Sequence, residues 1–285
     1  MFAHPSPPPA VVTYQAPCGD HNDLAMTAAG TLGRALAERL AVPVQAVGVP
    51  APVPDGGWEE ALDGAGPDLA ALADRYRSVL AGGHRPYGAL SRCAAALATL
   101  PVVTGSRPDA VVVWMDAHGD IHTPDTTGTG YLGGMALSGP LGWWDSGHGA
   151  GVGDGRAVLV GARDLDPAET AAVEGGRIAC LPPGPGLAAE LAAWIDGRPV
   201  YLHLDCDVLE PGIVPTDYRV PGGLTLDDLH AVCLAVTAAA PLVGAEFAEY
   251  EGFDRATGRH VPPGDLLDAL SPLWSGEQGP FPVVG

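Results

Sequence analysis

AVVVWMDAHGD at residues 110–120 and PVYLHLDCD at residues 199–207 share one pattern, an apolar β-branched run that breaks into alternating acids. Runs without polar alternation read as strands covered on both faces, the mark of a parallel sheet between helical layers. Further strands are expected at Val11–Gln15, Val44–Val49, Ala157–Gly161, Arg177–Leu181 and Val243–Phe247, beside Ala110–Met115 and Val200–Leu204. Amphipathic stretches at Asp23–Leu40, Asp68–Leu80, Gly88–Leu100, Pro167–Glu174, Leu187–Ile195 and Thr225–Ala239 read as helices, the last capped by Thr225 with Asp227 and Asp228 in its first turn. Strands alternating with helices predict an α/β fold: a single doubly wound, mostly parallel sheet flanked by helices. One domain over residues 1–285 is expected, with flexible Pro-rich ends at about 1–10 and 275–285.

In such sheets ligands bind beyond the carboxyl ends of the strands, where both acid clusters fall. Spacing of i, i+2 in extended chain turns side chains to one side. Asp116, His118 and Asp120 therefore form one group, and Asp205 and Asp207 another. Unpaired carboxylates this close repel, and bound cations remove the repulsion. Oxygen-rich ligation with one imidazole favours a hard or borderline divalent ion such as Mn²⁺, and carboxylates can bridge two of them.

Composition narrows the alternatives. The chain has 14 basic and 34 acidic residues, a formal charge of −20, and every basic residue is arginine. Without lysine there is no Schiff base and no P-loop lysine. A polyanion repels nucleic acid and anionic lipid, so neither is an expected partner. No basic, then apolar, leader opens the chain, and no apolar run approaches the length of a membrane span. Five scattered cysteines, at 18, 93, 180, 206 and 233, do not form a disulfide framework. A cytoplasmic location is expected.

The motifs resemble those of the ureohydrolases, the family of arginase and agmatinase. DAHGDIHTP (116–124) resembles their first metal motif, and LHLDCDVLEP (202–211) followed by VPGGLT (220–225) their second. The resemblance runs from about Cys93 to Glu249 and implies two Mn²⁺ ions. In it Asp116 and Asp205 bridge the ions, Asp120 binds one, and His118 and Asp207 the other; a bridging hydroxide attacks the guanidinium carbon, and Asp120 orients it. The family's remaining ligand is a histidine about two dozen residues before the first motif. His84 stands too far upstream, whereas Cys93 in LSRCAAALATLP (90–101) matches the spacing; its sulfur admits Zn²⁺ or Fe²⁺ as well. Glu249 in AEFAEYEG (245–252) resembles the acid that holds the substrate guanidinium. Asp166 and Glu169 in VGARDLDPAE (160–169) resemble the pair at the substrate amino group, although helix capping would also account for them.

Other positions depart from arginase. Gly133 stands where the resemblance places a histidine that protonates the leaving amine, and His122 and Thr129, with Tyr131 nearby, stand at the carboxylate-binding positions. Cys93 and Gly133, with GYLGGMALSG (130–139) and WDSGHGAG (144–151), resemble a subgroup from antibiotic pathways that hydrolyses Nω-hydroxy-L-arginine to L-ornithine and hydroxyurea. An N-hydroxyguanidine is less basic than a guanidine and depends less on a dedicated acid; His148 is a candidate substitute. The expected partner is thus a small guanidino or hydroxyguanidino amino acid, and a homo-oligomer is compatible with the family. Three alternatives remain: an arginase or other guanidino-acid hydrolase releasing urea; a catalytically inactive metal-binding homologue; and a metal-dependent phosphohydrolase, disfavoured by the lack of a basic phosphate cradle.

Overall fold

The computed structural model describes residues 7–53 and 55–275. The chain runs β1 (Pro9–Tyr14), α1 (Leu24–Leu40), β2 (Val44–Val47), α2 (Trp58–Ala81), β3 (Arg85–Leu90), α3 (Ala96–Ser106) and β4 (Val111–Met115). It continues through β5 (Ala157–Val160), α4 (Pro167–Glu174), β6 (Ala179–Leu181), α5 (Leu187–Ile195), β7 (Val200–Asp205), α6 (Leu226–Ala239), β8 (Leu242–Ala248) and α7 (Gly264–Ala269). The eight strands form one sheet in the order β2-β1-β3-β8-β7-β4-β5-β6. Every pairing in it is parallel.

Alternation along the strands builds two apolar layers. Val112 and Trp114 belong to the layer that holds Leu69, Leu72 and Tyr76 of α2 and Leu97 and Leu100 of α3. Val111, Val113 and Met115 face the opposite layer, with Leu32 and Leu36 of α1, Leu191 of α5 and Val232 of α6. Leu32, Leu36 and Leu191 are wholly buried. Burial on this scale contributes about 1.5–3 kcal/mol for each aliphatic side chain. Among the described residues no helix is long and apolar enough to cross a membrane.

Two expectations are corrected. Gly88–Leu100 is not one helix: residues 85–90 form β3, Cys93–Ala95 make a single 3₁₀ turn, and α3 begins at Ala96. The run RPYGALSRCAAALATL is helical by alanine content, but β3 lies inside the sheet between β1 and β8. Gly88 shows why a strand fits there. A Cβ at this position would stand 3.0 Å from Glu246 Cβ and press on the Tyr76 hydroxyl. The N-terminal end is also ordered sooner than expected, because Pro9 and Ala10 pair with Arg85 and Pro86. At the other end Ser275 bonds back to the Ser271 carbonyl (2.6 Å). Residues 1–6 and 276–285, where flexible ends are also expected, lie outside the described residues.

Consecutive strands β3 and β4 are separated in the sheet by β8 and β7. Their carboxyl ends, with those of β7 and β8 between them, form the crevice where the strand order reverses.

Candidate metal centre

Register brings the acids together. Met115 of β4 stands opposite Leu204 of β7, so Asp116 and Asp205 emerge side by side. Asp205 pairs with Ala248 of β8, which places Glu249 next in line. Cys93 arrives from the turn after β3, on the far side of β8. Three sets of donor atoms lie within 4.8 Å of one another: Cys93, Asp116 and Asp120; Asp116, His118 and Asp207; Cys93, Asp205 and Glu249. Asp116 belongs to two sets, and so does Cys93.

The acids are buried: Asp116 is 1% exposed, Asp120 7%, Asp205 5% and Asp207 3%. Burial, followed by repulsion from Asp116, pushes the Asp120 carboxyl well above the usual range. Burial and the charges of Asp207 and Asp116 do the same to Asp205, and Asp207 is raised as well. His118 is the local counterweight. Its Nδ1 lies 3.2 Å from Asp116 Oδ1 and 3.1 Å from Asp207 Oδ2. Burial opposes its charge, but the bonds to these acids win and raise its proton affinity. The same bonds overcome burial at Asp116 and hold it below the carboxylate range.

This donor set fits divalent ions. Four carboxylates, an imidazole and a thiol converge, and among the described residues the Asp120 carboxylate has no hydrogen-bond or ion-pair partner. Asp120 also holds a left-handed φ of +53°, and Glu249 one of +63°. Backbone strain of this kind costs roughly 1–3 kcal/mol per residue and concentrates at functional sites.

Cys93 lies inside the cluster. Its thiol donates to Asp205 Oδ2 at 3.1 Å and lies 3.2 Å from His203 Nε2. Burial and then the Asp205 charge push the thiol well up. His203 is a residue that motif reading missed. Its ring stacks on Trp114 (3.6 Å, 2°), and its Nδ1 meets Glu246 Oε1 at 2.8 Å. Its position two residues before Asp205 on the same strand face was the available signal. Arg92, also missed, is wholly buried and donates to Asp20 Oδ1 (2.8 Å) and Glu249 Oε2 (2.5 Å). The Cys93 amide donates to the other Glu249 oxygen at 2.9 Å. Burial, only partly offset by Arg92, pushes Glu249 up to about 7.

A cavity of about 260 Å³ opens onto the cluster, lined by acids and by loop residues named from the sequence. His122, Thr129, Tyr131, Asp166 and Glu169 all reach it. His122 Nε2 is bonded to Asp166 Oδ2 (2.9 Å). Glu169 accepts from the amides of Ile121 (3.2 Å) and Asp166 (3.1 Å), so it ties the loop after β4 to the start of α4 while lining the cavity. His148 is a correction. It lines a separate cavity with Arg77, Leu80 and Pro101, across α2 and α3, and is not positioned as a substitute acid. His84 is exposed just beyond α2 and belongs to none of the three donor sets.

Comparison with known proteins agrees with this geometry. Residues 70–258 match the arginase family model. The chain is 41% identical over 264 residues to the N(omega)-hydroxy-L-arginine amidinohydrolase of Streptomyces lavendulae, covering 93% of this chain and 96% of that protein. It is 33% identical to an arginase of Schizosaccharomyces pombe over 174 residues, 54% of this chain and 53% of that one. The fold superposes on the Bacillus caldovelox arginase with a TM-score of 0.76 at 24% identity, covering 95% of this chain and 99% of that one. Strand order, acid cluster and family match thus converge, and the chain belongs to the arginase family of hydrolases.

Proposed function

We propose that the protein cleaves the guanidino C–N bond of Nω-hydroxy-L-arginine, releasing L-ornithine and hydroxyurea. The observation that carries this reading is the similarity to a named hydroxyarginine amidinohydrolase across 93% of the chain, where a yeast arginase matches only 54%. In this reading Cys93, Asp116, His118, Asp120, Asp205 and Asp207 hold two divalent ions. The oxygen-rich donors favour Mn²⁺, and the Cys93 sulfur also accommodates Zn²⁺ or Fe²⁺. When bound, the ions supply Lewis acidity and activate water at neutral pH.

The remaining roles follow from the side chains. Asp120, unpartnered among the described residues, orients the attacking water and carries its proton to the departing δ-nitrogen as the C–Nδ bond breaks. Glu249, fixed by Arg92 and the Cys93 amide, presents its carboxylate to the guanidino end. Asp166, Glu169, His122 and Thr129 receive the amino-acid end. A weakly basic N-hydroxyguanidine suits a cavity that has no side chain at Gly133. A small-molecule substrate, a cytoplasmic location and assembly as a homo-oligomer belong to the same proposal.

Manganese-loaded protein incubated separately with Nω-hydroxy-L-arginine and with arginine, with hydroxyurea and urea assayed in parallel, tests it. Hydroxyurea release in clear excess over urea is expected. Urea release alone would favour the arginase reading, and no ornithine from either compound would sink both.

A further inference from the structure

We propose that Tyr131 is the residue that recognises the substrate's N-hydroxyl group, its ring occupying the space that a side chain at position 133 would fill. This rests on the hydroxyguanidino reading above.

Gly133 is buried at the start of a 3₁₀ turn, Gly133–Met135. Its φ is not left-handed, so its backbone does not demand glycine. Its neighbour does. A Cβ built at Gly133 would stand 2.7 Å from Tyr131 Cζ and 2.9 Å from Tyr131 Oη, and closer still to Cε1. Tyr131 and Gly133 are therefore a complementary pair, the ring being accommodated because position 133 carries no side chain.

The ring is also stacked. It lies against His21 with centroids 4.4 Å apart at 29°, and His21 Nδ1 is anchored to Asp217 Oδ2 at 3.2 Å. The Tyr218 ring lies 6.0 Å from it. Tyr131 lines the cavity with Cys93, Asp120, Asp205 and Glu249. Among the described residues its hydroxyl makes no hydrogen bond. Burial, followed by the Glu249 charge, holds the proton firmly on the phenol. The cavity wall thus presents a neutral O–H, unpartnered among the described residues.

Donor and acceptor complementarity then discriminates between substrates. A phenol offers one donor and two lone pairs. The guanidinium of arginine carries donors only, so the phenol proton finds no acceptor there. An N-hydroxyl oxygen accepts that proton and offers a donor in return. Sites built around a polar group reject the analogue that lacks its partner, because the protein group is left unpaired.

Tyr131→Phe keeps the ring against Gly133 and His21 and removes only the hydroxyl. In the manganese-loaded full chain, calorimetric affinities and kcat/KM values are measured for Nω-hydroxy-L-arginine and for arginine. The expected result is that the preference for the hydroxylated compound falls about tenfold in both measurements, the size of one neutral hydrogen bond. An unchanged preference, or equal loss for both compounds, would overturn the inference. Wild-type protein that binds the hydroxylated compound but hydrolyses neither would overturn the functional reading, while the change in binding preference would still decide the role of Tyr131. Wild-type protein that binds neither compound would overturn both.

Discussion

Arg92 is the residue on which the interior of the site depends most. With no exposed surface, its guanidinium faces Asp20, Glu249 and Glu251, at 2.8, 2.5 and 3.4 Å. Three buried acids share one cation, so its removal leaves their charges without the partner that offsets them. Arg92→Met is expected to destabilise the fold by about 3–5 kcal/mol, the usual cost of breaking a buried pair. Thermal unfolding should show a Tm loss on the order of 10 °C. Cys93→Ala, in contrast, removes a donor without stranding a charge. It should leave the fold intact and weaken metal retention at least about tenfold, read as manganese content after dialysis. Wild-type manganese content in that variant would remove Cys93 from the ligand set. Asp116, His118, Asp120, Asp205 and Asp207 were legible in the sequence because each follows directly from a strand end and i, i+2 spacing. Arg92, His203 and Glu246 were not, because what they touch depends on how β3, β7 and β8 lie beside one another. A sequence shows an arginine beside Cys93; only the packed sheet shows which acids surround it.

Among the elements, one arginine latches three loop ends together. Arg163, after β5, donates to the carbonyls of Gly161 (3.1 Å), Asp207 (3.0 Å), Val208 (3.2 Å) and Val220 (2.7 Å). One guanidinium thus joins the end of β5, the turn that carries Asp207 and the loop before α6. Its fork of donors is what the geometry uses, and a lysine ammonium cannot span those carbonyls. Arg163→Lys is expected to lower stability by about 2 kcal/mol and to weaken metal retention through Asp207, with the same two measurements as readouts. Retained metal affinity at lowered Tm would confine the latch to a structural role. The elements it joins were readable as strands because β5 and β7 are apolar runs bounded by turn residues. β3 was not, since Gly88 and the alanines after Cys93 carry the composition of a helix. The strand forms because its backbone completes the ladder between β1 and β8 and because Gly88 admits Glu246 and the Tyr76 hydroxyl; neither contact is visible along the chain.

At the scale of the whole molecule, part of the acidity behind the charge of −20 is buried, where it is hardest to bear. Asp120, Asp205, Asp207 and Glu249 all hold protons more tightly in the folded chain than in the unfolded one, mainly through burial. Without metal, the native state therefore binds more protons than the unfolded state across the interval from the ordinary carboxylate range up to about 7, the value for Glu249. Stability changes with pH in proportion to protons bound unfolded minus protons bound folded, which is negative here, so it must fall as pH rises through that interval. Net negative self-repulsion acts in the same direction. Divalent cations reverse the trend, since they bind the ionised acids of the native state alone. At 100 times the dissociation constant each such site adds about 2.7 kcal/mol. Chelated protein is accordingly expected to lose Tm between pH 5 and pH 8, and saturating manganese to raise Tm far more at pH 8 than at pH 5. Glu249→Gln should flatten the upper part of the metal-free profile, because the amide has no proton to lose. Differential scanning calorimetry of chelated and manganese-loaded protein at both pH values decides the matter. A metal-free Tm independent of pH, or an equal manganese effect at the two values, would show that these buried acids are not the groups the cations neutralise.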